Sequence, residues 1–227
     1  MGKLAPNLKE ISLKRLSISN TSFKELVHWL HKVEKLDISE CPLIEESGLI
    51  HFFEKNGECL KELSASNCQD AITNNTLKAL TDIKDEEEEA PVCIITFLDI
   101  SYCKRVTDEG LAAFEGKTYP LTTLNVTGCN GISGKGLVHP IMACTATLEH
   151  FIGGLLDQEE MKQADFGKAL GLCTHLKSLD VGGNKHMTDE FFNHLTSQEI
   201  EVDGVKVKIG LSELHTVKLN FLENLND

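Results

Sequence analysis

The chain has 227 residues, 41% of them hydrophobic and 25% charged, enough to fold around a buried core. Its formal net charge is −13, which argues against binding the nucleic-acid backbone, a task that needs a basic surface. No apolar run approaches the roughly 20 residues needed to cross a bilayer, and the opening "MGKLAPNLKE" offers no signal-peptide core.

One frame, L-x-x-L-x-L-x-x-C, recurs from end to end. In chain order it reads Leu13, Leu16, Ile18, Thr21; then Val33, Leu36, Ile38, Cys41; then Leu60, Leu63, Ala65, Cys68. It continues as Ile95, Leu98, Ile100, Cys103 and as Leu121, Leu124, Val126, Cys129. Weaker copies follow at Leu148, Phe151, Gly153, Leu156, at Leu176, Leu179, Val181, Asn184 and at Leu214, Val217, Leu219, Leu222. Alternating apolar residues within each copy predict a short strand with its apolar side chains turned inward.

After each strand comes a turn and a helix start. "CPLIEESGL", "CKRVTDEGL", "CNGISGKGL" and "NKHMTDEFF" begin at Cys41, Cys103, Cys129 and Asn184. Thr107, Ser133 and Thr188 are placed to cap a helix N-terminus through their side-chain oxygens. Gly110 and Gly136 allow close packing, and Leu111 and Leu137 begin the buried helix face. Trp29, with Phe23 and Leu26 at helical spacing, is expected in the core of the first repeat.

Two stretches interrupt the frame. Residues 82–92 carry "DEEEE" and are expected to form an acidic loop, since like charges repel. Residues 198–210 carry an Asp203-Gly204 turn signal and are expected to form a β-hairpin, with Ile200, Val202, Val205 and Val207 on one face and Glu201 paired with Lys206. Such a hairpin covers an end of the stack or a partner.

The eight cysteines recur once per repeat or fall near helix ends rather than in paired ligand spacings. They are expected to be free, structural thiols in a reducing, intracellular compartment, cytoplasmic or nuclear. The glycosylation-type matches at Asn20, Asn74 and Asn125 then count as chance. "GCNGISGKG" lacks the first glycine and the final Ser or Thr of a phosphate loop, and no histidine spacing suits a metal. No catalytic, cofactor-binding or metal-binding residue is expected.

The frame and the "VTDEGL" segment after its cysteine resemble the cysteine-containing class of leucine-rich repeats. The resemblance implies a single α/β solenoid over 1–227 with about eight repeats, parallel strands on the concave face and helices on the convex face. The same class is similar to the repeat domains of F-box/LRR ubiquitin-ligase substrate receptors, in which the solenoid binds the substrate and a separate F-box binds the adaptor. The residues ahead of Leu13 hold no F-box and no polar cap.

The resemblance implies a non-catalytic protein-protein interaction module, with the substrate-binding domain of a ligase receptor as one form of it. A scaffold subunit of a cytoskeletal or organellar assembly and an acidic repeat protein that binds basic proteins are the alternatives. A protein partner is expected on the concave face or at an uncapped end, with no nucleic acid and no membrane insertion. Phe97, Tyr102, Ile152 and Leu155 put large side chains where small polar ones are expected, with His150 beside them and Asp37, Asp99 and Asp180 among the acids of the same face. These eight residues are the candidate partner-binding set.

Overall fold

The computed structural model describes residues 7–83, 93–156, 163–196, 199–202, 205–208 and 210–222. Eight three-residue strands lie parallel in one open sheet: β1 (Glu10–Ser12), β2 (Lys35–Asp37), β3 (Glu62–Ser64), β4 (Phe97–Asp99), β5 (Thr123–Asn125), β6 (His150–Ile152), β7 (Ser178–Asp180) and β10 (Thr216–Lys218). Every pairing is in register at the frame's central leucine, as in Leu63 opposite Leu98 and Leu98 opposite Leu124. Helices α1 (Asn20–Val27), α2 (Glu46–Asn56), α3 (Asn74–Thr81), α4 (Asp108–Leu111), α5 (Gly134–Met142), α6 (Gln163–Gly171) and α7 (Asp189–Thr196) fill the connections. Strands stack at about 4.8 Å while helices need about 10 Å, so the stack curves with its strands inside. No helix among the described residues is long and apolar enough to cross a membrane.

The inward leucines and isoleucines of neighbouring repeats form one continuous core, with Leu36, Leu63, Leu98, Leu124, Phe151 and Leu179 all buried. One repeat alone has nothing to cover that face. Aromatic rings thicken the core behind the later repeats, where Phe166 lies 5.5 Å from Phe151 and 5.0 Å from Phe191. Trp29 is only half-buried, set edge-on to His28.

The recurring thiol has a hydrogen-bonding task. Cys41 Sγ donates to the Leu13 carbonyl, Cys68 to Ile38, Cys103 to Ala65 and Cys129 to Ile100, at 2.9–3.2 Å. Each acceptor belongs to the preceding repeat, at the frame's second inward position. Asn184 makes the equivalent bond to Gly153 at 2.8 Å. Leu156 carries no donor, which is the chemical sense in which the sixth repeat is irregular. Burial pushes the thiols of Cys68 and Cys129 up to about 11 and about 12, and that of Cys103 further, so these groups stay protonated as donors.

A second set of bonds ties helix starts together. The first helical residue of one repeat accepts the N–H of the capping residue in the next: Asn20 from Glu45, Asn74 from Thr107, Asp108 from Ser133 and Gln163 from Thr188. Ser133 also caps its own helix, through the Lys135 N–H. Thr107 instead takes a bond from Asn74 Nδ2 at 2.9 Å and makes none to its own helix. Gly110 is small for a reason: a β-carbon there would sit 2.5 Å from Asn74 Oδ1.

The first repeat lies five residues earlier than the Leu13 frame implies. Ile11 pairs with Leu36 and Ser12 with Asp37, so the frame is Leu8, Ile11, Leu13, Leu16. The face residue of that repeat is Ser12 rather than Ser17. Starting the strand at Leu13 would leave no room for a turn before α1, whose N-cap is Ser19.

Of the two interruptions, the first begins with Asp82, which caps the end of α3 and pairs with Lys117 at 2.7 Å, and Ile83, which follows it and is buried. The acidic run Asp85–Glu89 lies outside the described residues. The hairpin forms as β8 (Glu199–Val202) and β9 (Val205–Lys208), antiparallel, with Ile200 opposite Val207, Val202 opposite Val205 and Glu201 opposite Lys206. It is a sheet of its own, and β10 rejoins the main sheet beside β7.

Candidate interaction surface

The strands present two outward columns. One runs Glu10, Lys35, Glu62, Phe97, Thr123, His150, Ser178, Thr216, and the other Ser12, Asp37, Ser64, Asp99, Asn125, Ile152, Asp180, Lys218. The first three repeats neutralise themselves. Lys35 lies 3.9 Å from Glu10 and 2.9 Å from Glu62, and Glu34 sits between Lys9 and Lys61 at 2.7 Å from each. Hydrogen bonds from those two lysines hold the Glu34 carboxyl down at about 2. The ladder breaks at Glu62, whose neighbour in register is Phe97, and the pattern of Glu34 and Lys61 returns in Glu149 and Lys177, 2.9 Å apart.

From β4 onward the face changes character. Phe97, His150 and Ile152 are half-buried and set among Thr123, Asn125 and Ser178. Phe97 and His150 are separated by the strand that carries Thr123, so they stand about 10 Å apart. Ile152 has Asn125 on one side and Asp180 on the other.

The acids of this face have structural duties first. Asp37, Asp99 and Asp180 each accept the N–H two residues on, from Ser39, Ser101 and Gly182, at 2.9–3.1 Å. This Asx turn ends the strand. The second oxygen of Asp37 takes the Ser12 hydroxyl at 3.1 Å, and that of Asp180 faces Lys218 at 3.4 Å. Asp37, on β2, also stands four strands from Ile152 on β6, in the neutralised half.

Tyr102 and Leu155 are on a different surface from the other candidates. They occupy the turn after the strand, at a position where every repeat is left-handed: Arg15, Glu40, Asn67, Tyr102, Gly128, Leu155, Gly183 and Phe221 have φ between 55° and 76°. The cause is the ladder, which continues past the strand: Tyr102 N–H donates to Thr127, Gly128 to Gly154 and Leu155 to Gly182. This column forms one rim of the solenoid. A left-handed tyrosine or leucine costs on the order of 1–2 kcal/mol against glycine, yet the chain keeps Tyr102 and Leu155 there with both side chains exposed. The sequence-derived set missed this separation, and it missed Phe221, which is 83% exposed in the same column. Counting one residue back from each turn cysteine would have found the column.

Between Tyr102 and Leu155 lies a shallow groove of about 310 Å³, lined by Tyr102, Lys104, Gly128, Asn130, Leu155, Gly183 and Lys185. A larger hollow of about 570 Å³ opens at the other rim, among Phe53, Asn56, Cys59, Ala79 and Ile83. Among the described residues no group of three or more His, Cys, Asp or Glu side chains is arranged to hold a metal.

Eight parallel strands, six of them closed by a buried thiol, amide or leucine, alternate with seven helices and define a leucine-rich repeat solenoid. The model of the leucine-rich repeat family matches residues 93–114, 120–138 and 172–190. Its fold is similar to that of a chain in the crystal structure of the Rad7 and Elc1 complex in yeast, with a TM-score of 0.54 and 15% identity. The match covers 96% of this chain, which spans 58% of the length of the other.

Proposed function

We propose that this chain is a non-catalytic protein-interaction module whose partner contacts the strand face from β4 to β7 and the adjoining rim. One observation carries the reading. The continuous ion-pair ladder of the first three repeats breaks at Glu62, and the face then carries Phe97, His150 and Ile152, with the separate pairs Glu149–Lys177 and Asp180–Lys218 beside the last two. Apolar groups set in a polar field are what a binding hot spot requires. Phe97, Asp99, His150, Ile152 and Asp180 supply the strand face, and Tyr102 and Leu155 the rim. Asp37, on β2 within the ion-paired first three repeats, contributes to the fold more than to contact.

The finer proposal is that the module holds the substrate of a ubiquitin ligase. Its support is the resemblance of the cysteine repeats to those of ligase receptors and the likeness of fold to a chain taken from a two-protein complex. The test is affinity purification with mass spectrometry, comparing the native chain with Phe97→Thr and Ile152→Asn. Both substitutions copy residues that the same columns already hold, Thr123 and Asn125, so the fold is retained. The proposal expects a partner that is lost from both variants, together with ligase subunits if the finer reading holds. Partners unchanged in both variants would overturn it.

A further inference from the structure

We propose that Cys59 is a modification site: a small zwitterionic peptide disulfide, of the glutathione class, docks in the hollow at the ends of α2 and α3 and leaves one half on the thiol as a mixed disulfide. The course of the chain sets the place. Helix α2 ends at Asn56 and runs through a tight turn, Gly57–Cys59, toward β3. The hollow of about 570 Å³ opens beside that turn and is lined by Phe53, Asn56, Cys59, Ala79 and Ile83. Of the eight cysteines, Cys59 is the one that is not buried. Six of the others also donate to main-chain carbonyls, as Cys144 does to Pro140 at 3.0 Å.

A second observation points to a ligand independently of the thiol. Asn56 is 2% exposed, and its Oδ1 accepts the Val33 N–H at 3.1 Å. Its Nδ2 has no acceptor, the one buried side-chain nitrogen or oxygen left so among the described residues. A buried donor without a partner is destabilising, so each instance asks for an explanation. Asn56 borders the same hollow as Cys59. An amide carbonyl on a molecule held at Cys59 supplies the missing acceptor.

Size and charge select the occupant. The volume lies in the range of small-ligand sites and suits a tripeptide. The charged edge of the hollow is mixed. Glu54 faces His51 at 3.2 Å and Asp82 holds Lys117 at 2.7 Å, whereas Lys32, Lys55 and Glu58 make no ion pair among the described residues. Two cations and one carboxylate complement a peptide with two carboxylates and one ammonium better than a simple anion or a basic peptide.

The step is thiol–disulfide exchange. The Cys59 thiolate attacks one sulfur of the peptide disulfide, a new S–S bond forms, and the old one breaks. The other half leaves as a thiolate and takes up the proton that Cys59 gave up. The oxidising equivalent is the disulfide's own.

The test incubates the full chain with glutathione disulfide and, separately, with bis(2-hydroxyethyl) disulfide, which carries no charge and no amide. Both rates, followed by intact mass and peptide mapping, are divided by those of N-acetylcysteine. Cys59 should take a single glutathionyl group, at a normalised rate about tenfold above that for the uncharged disulfide, and the adduct should melt higher than the unmodified chain. Lys32→Gln combined with Lys55→Gln should remove most of that preference and leave the rate with the uncharged disulfide unchanged. Asn56→Asp keeps the acceptor for Val33 and removes the unpaired donor, so its adduct should gain no thermal stability. Equal normalised rates from the two disulfides would mean an accessible thiol without a site and overturn the proposal. A preference that survives the lysine substitutions, or a stability gain that survives Asn56→Asp, overturns it as well.

Discussion

The Tyr102 ring rests on Gly128: a β-carbon at Gly128 would sit 2.6 Å from Tyr102 Cδ1, and both residues are left-handed, with φ of 59° and 68°. Glycine is needed there for conformation and for room. Gly128→Ala should therefore lose about 1–2 kcal/mol in urea denaturation. Tyr102→Asn should be neutral or stabilising by up to about 1 kcal/mol, since asparagine tolerates the left-handed region. In the double variant the clash is relieved and the conformational cost remains, so the two effects should not add. A loss above about 1 kcal/mol in Tyr102→Asn alone would mean that the ring is there for packing.

The thiol column should be measurable by substitution and by labelling. Cys103→Ala removes a donor from Ala65 and opens space in the core, at a cost of about 1–3 kcal/mol. Cys59→Ala, at the one cysteine that is not buried, should change stability by less than about 0.5 kcal/mol. At pH 8 a thiol held near 11, as Cys68 is, has only about one part in a thousand as thiolate. Ellman's reagent should thus modify Cys59 quickly in the native chain and the other cysteines only on unfolding.

The repeat was legible because its inward positions obey one strong rule: burial admits Leu, Ile, Val, Phe or Cys and little else. The same rule misled at the first repeat, where Leu13, Leu16 and Ile18 satisfy the frame as well as Leu8, Ile11 and Leu13 do. Only the space needed by the turn before Asn20 separates the two readings. Surface placement was less legible. Ile152 was found correctly on the strand face, but Tyr102 and Leu155 were grouped with it although a left-handed turn carries them to the rim. Nothing in a tyrosine or a leucine announces a positive φ. The glycines at the equivalent places, Gly128 and Gly183, do so only once the columns are aligned. The cross-repeat acceptors of Asn74 and Asp108 were likewise hidden, because their partners lie in the next repeat.

Those acceptors give a contrast between two adjacent positions. Asp108 accepts the Ser133 N–H at 2.7 Å and the Ser133 hydroxyl at 2.5 Å, partly buried between repeats. Glu109, next to it, makes an exposed ion pair with Lys78 at 2.8 Å. Asp108→Ala should cost about 1–3 kcal/mol and Glu109→Ala less than about 0.5 kcal/mol, measured by thermal or urea unfolding. Similar losses at both would contradict a structural brace at Asp108.

The Lys9–Glu34–Lys61 ladder predicts a direction with pH. Glu34 is held at about 2, below its unfolded value near 4.3, chiefly by hydrogen bonds from Lys61 and Lys9. A carboxyl depressed in this way contributes stability that is complete above the unfolded value and is lost as pH falls through about 2. Carbon-detected NMR titration of Glu34 should give a midpoint well below about 4.3, and Lys61→Gln should raise it.

The central claim is that partners meet this molecule on the strand face from β4 to β7. Photo-crosslinking tests it most directly, with p-benzoylphenylalanine replacing Phe97 or Ile152 on that face, or Met142 on helix α5, which is 48% exposed. The expected result is a discrete protein adduct from positions 97 and 152 and none from 142. Adducts from 142 alone, or none from either strand position in an extract where the native chain captures a partner, would contradict it.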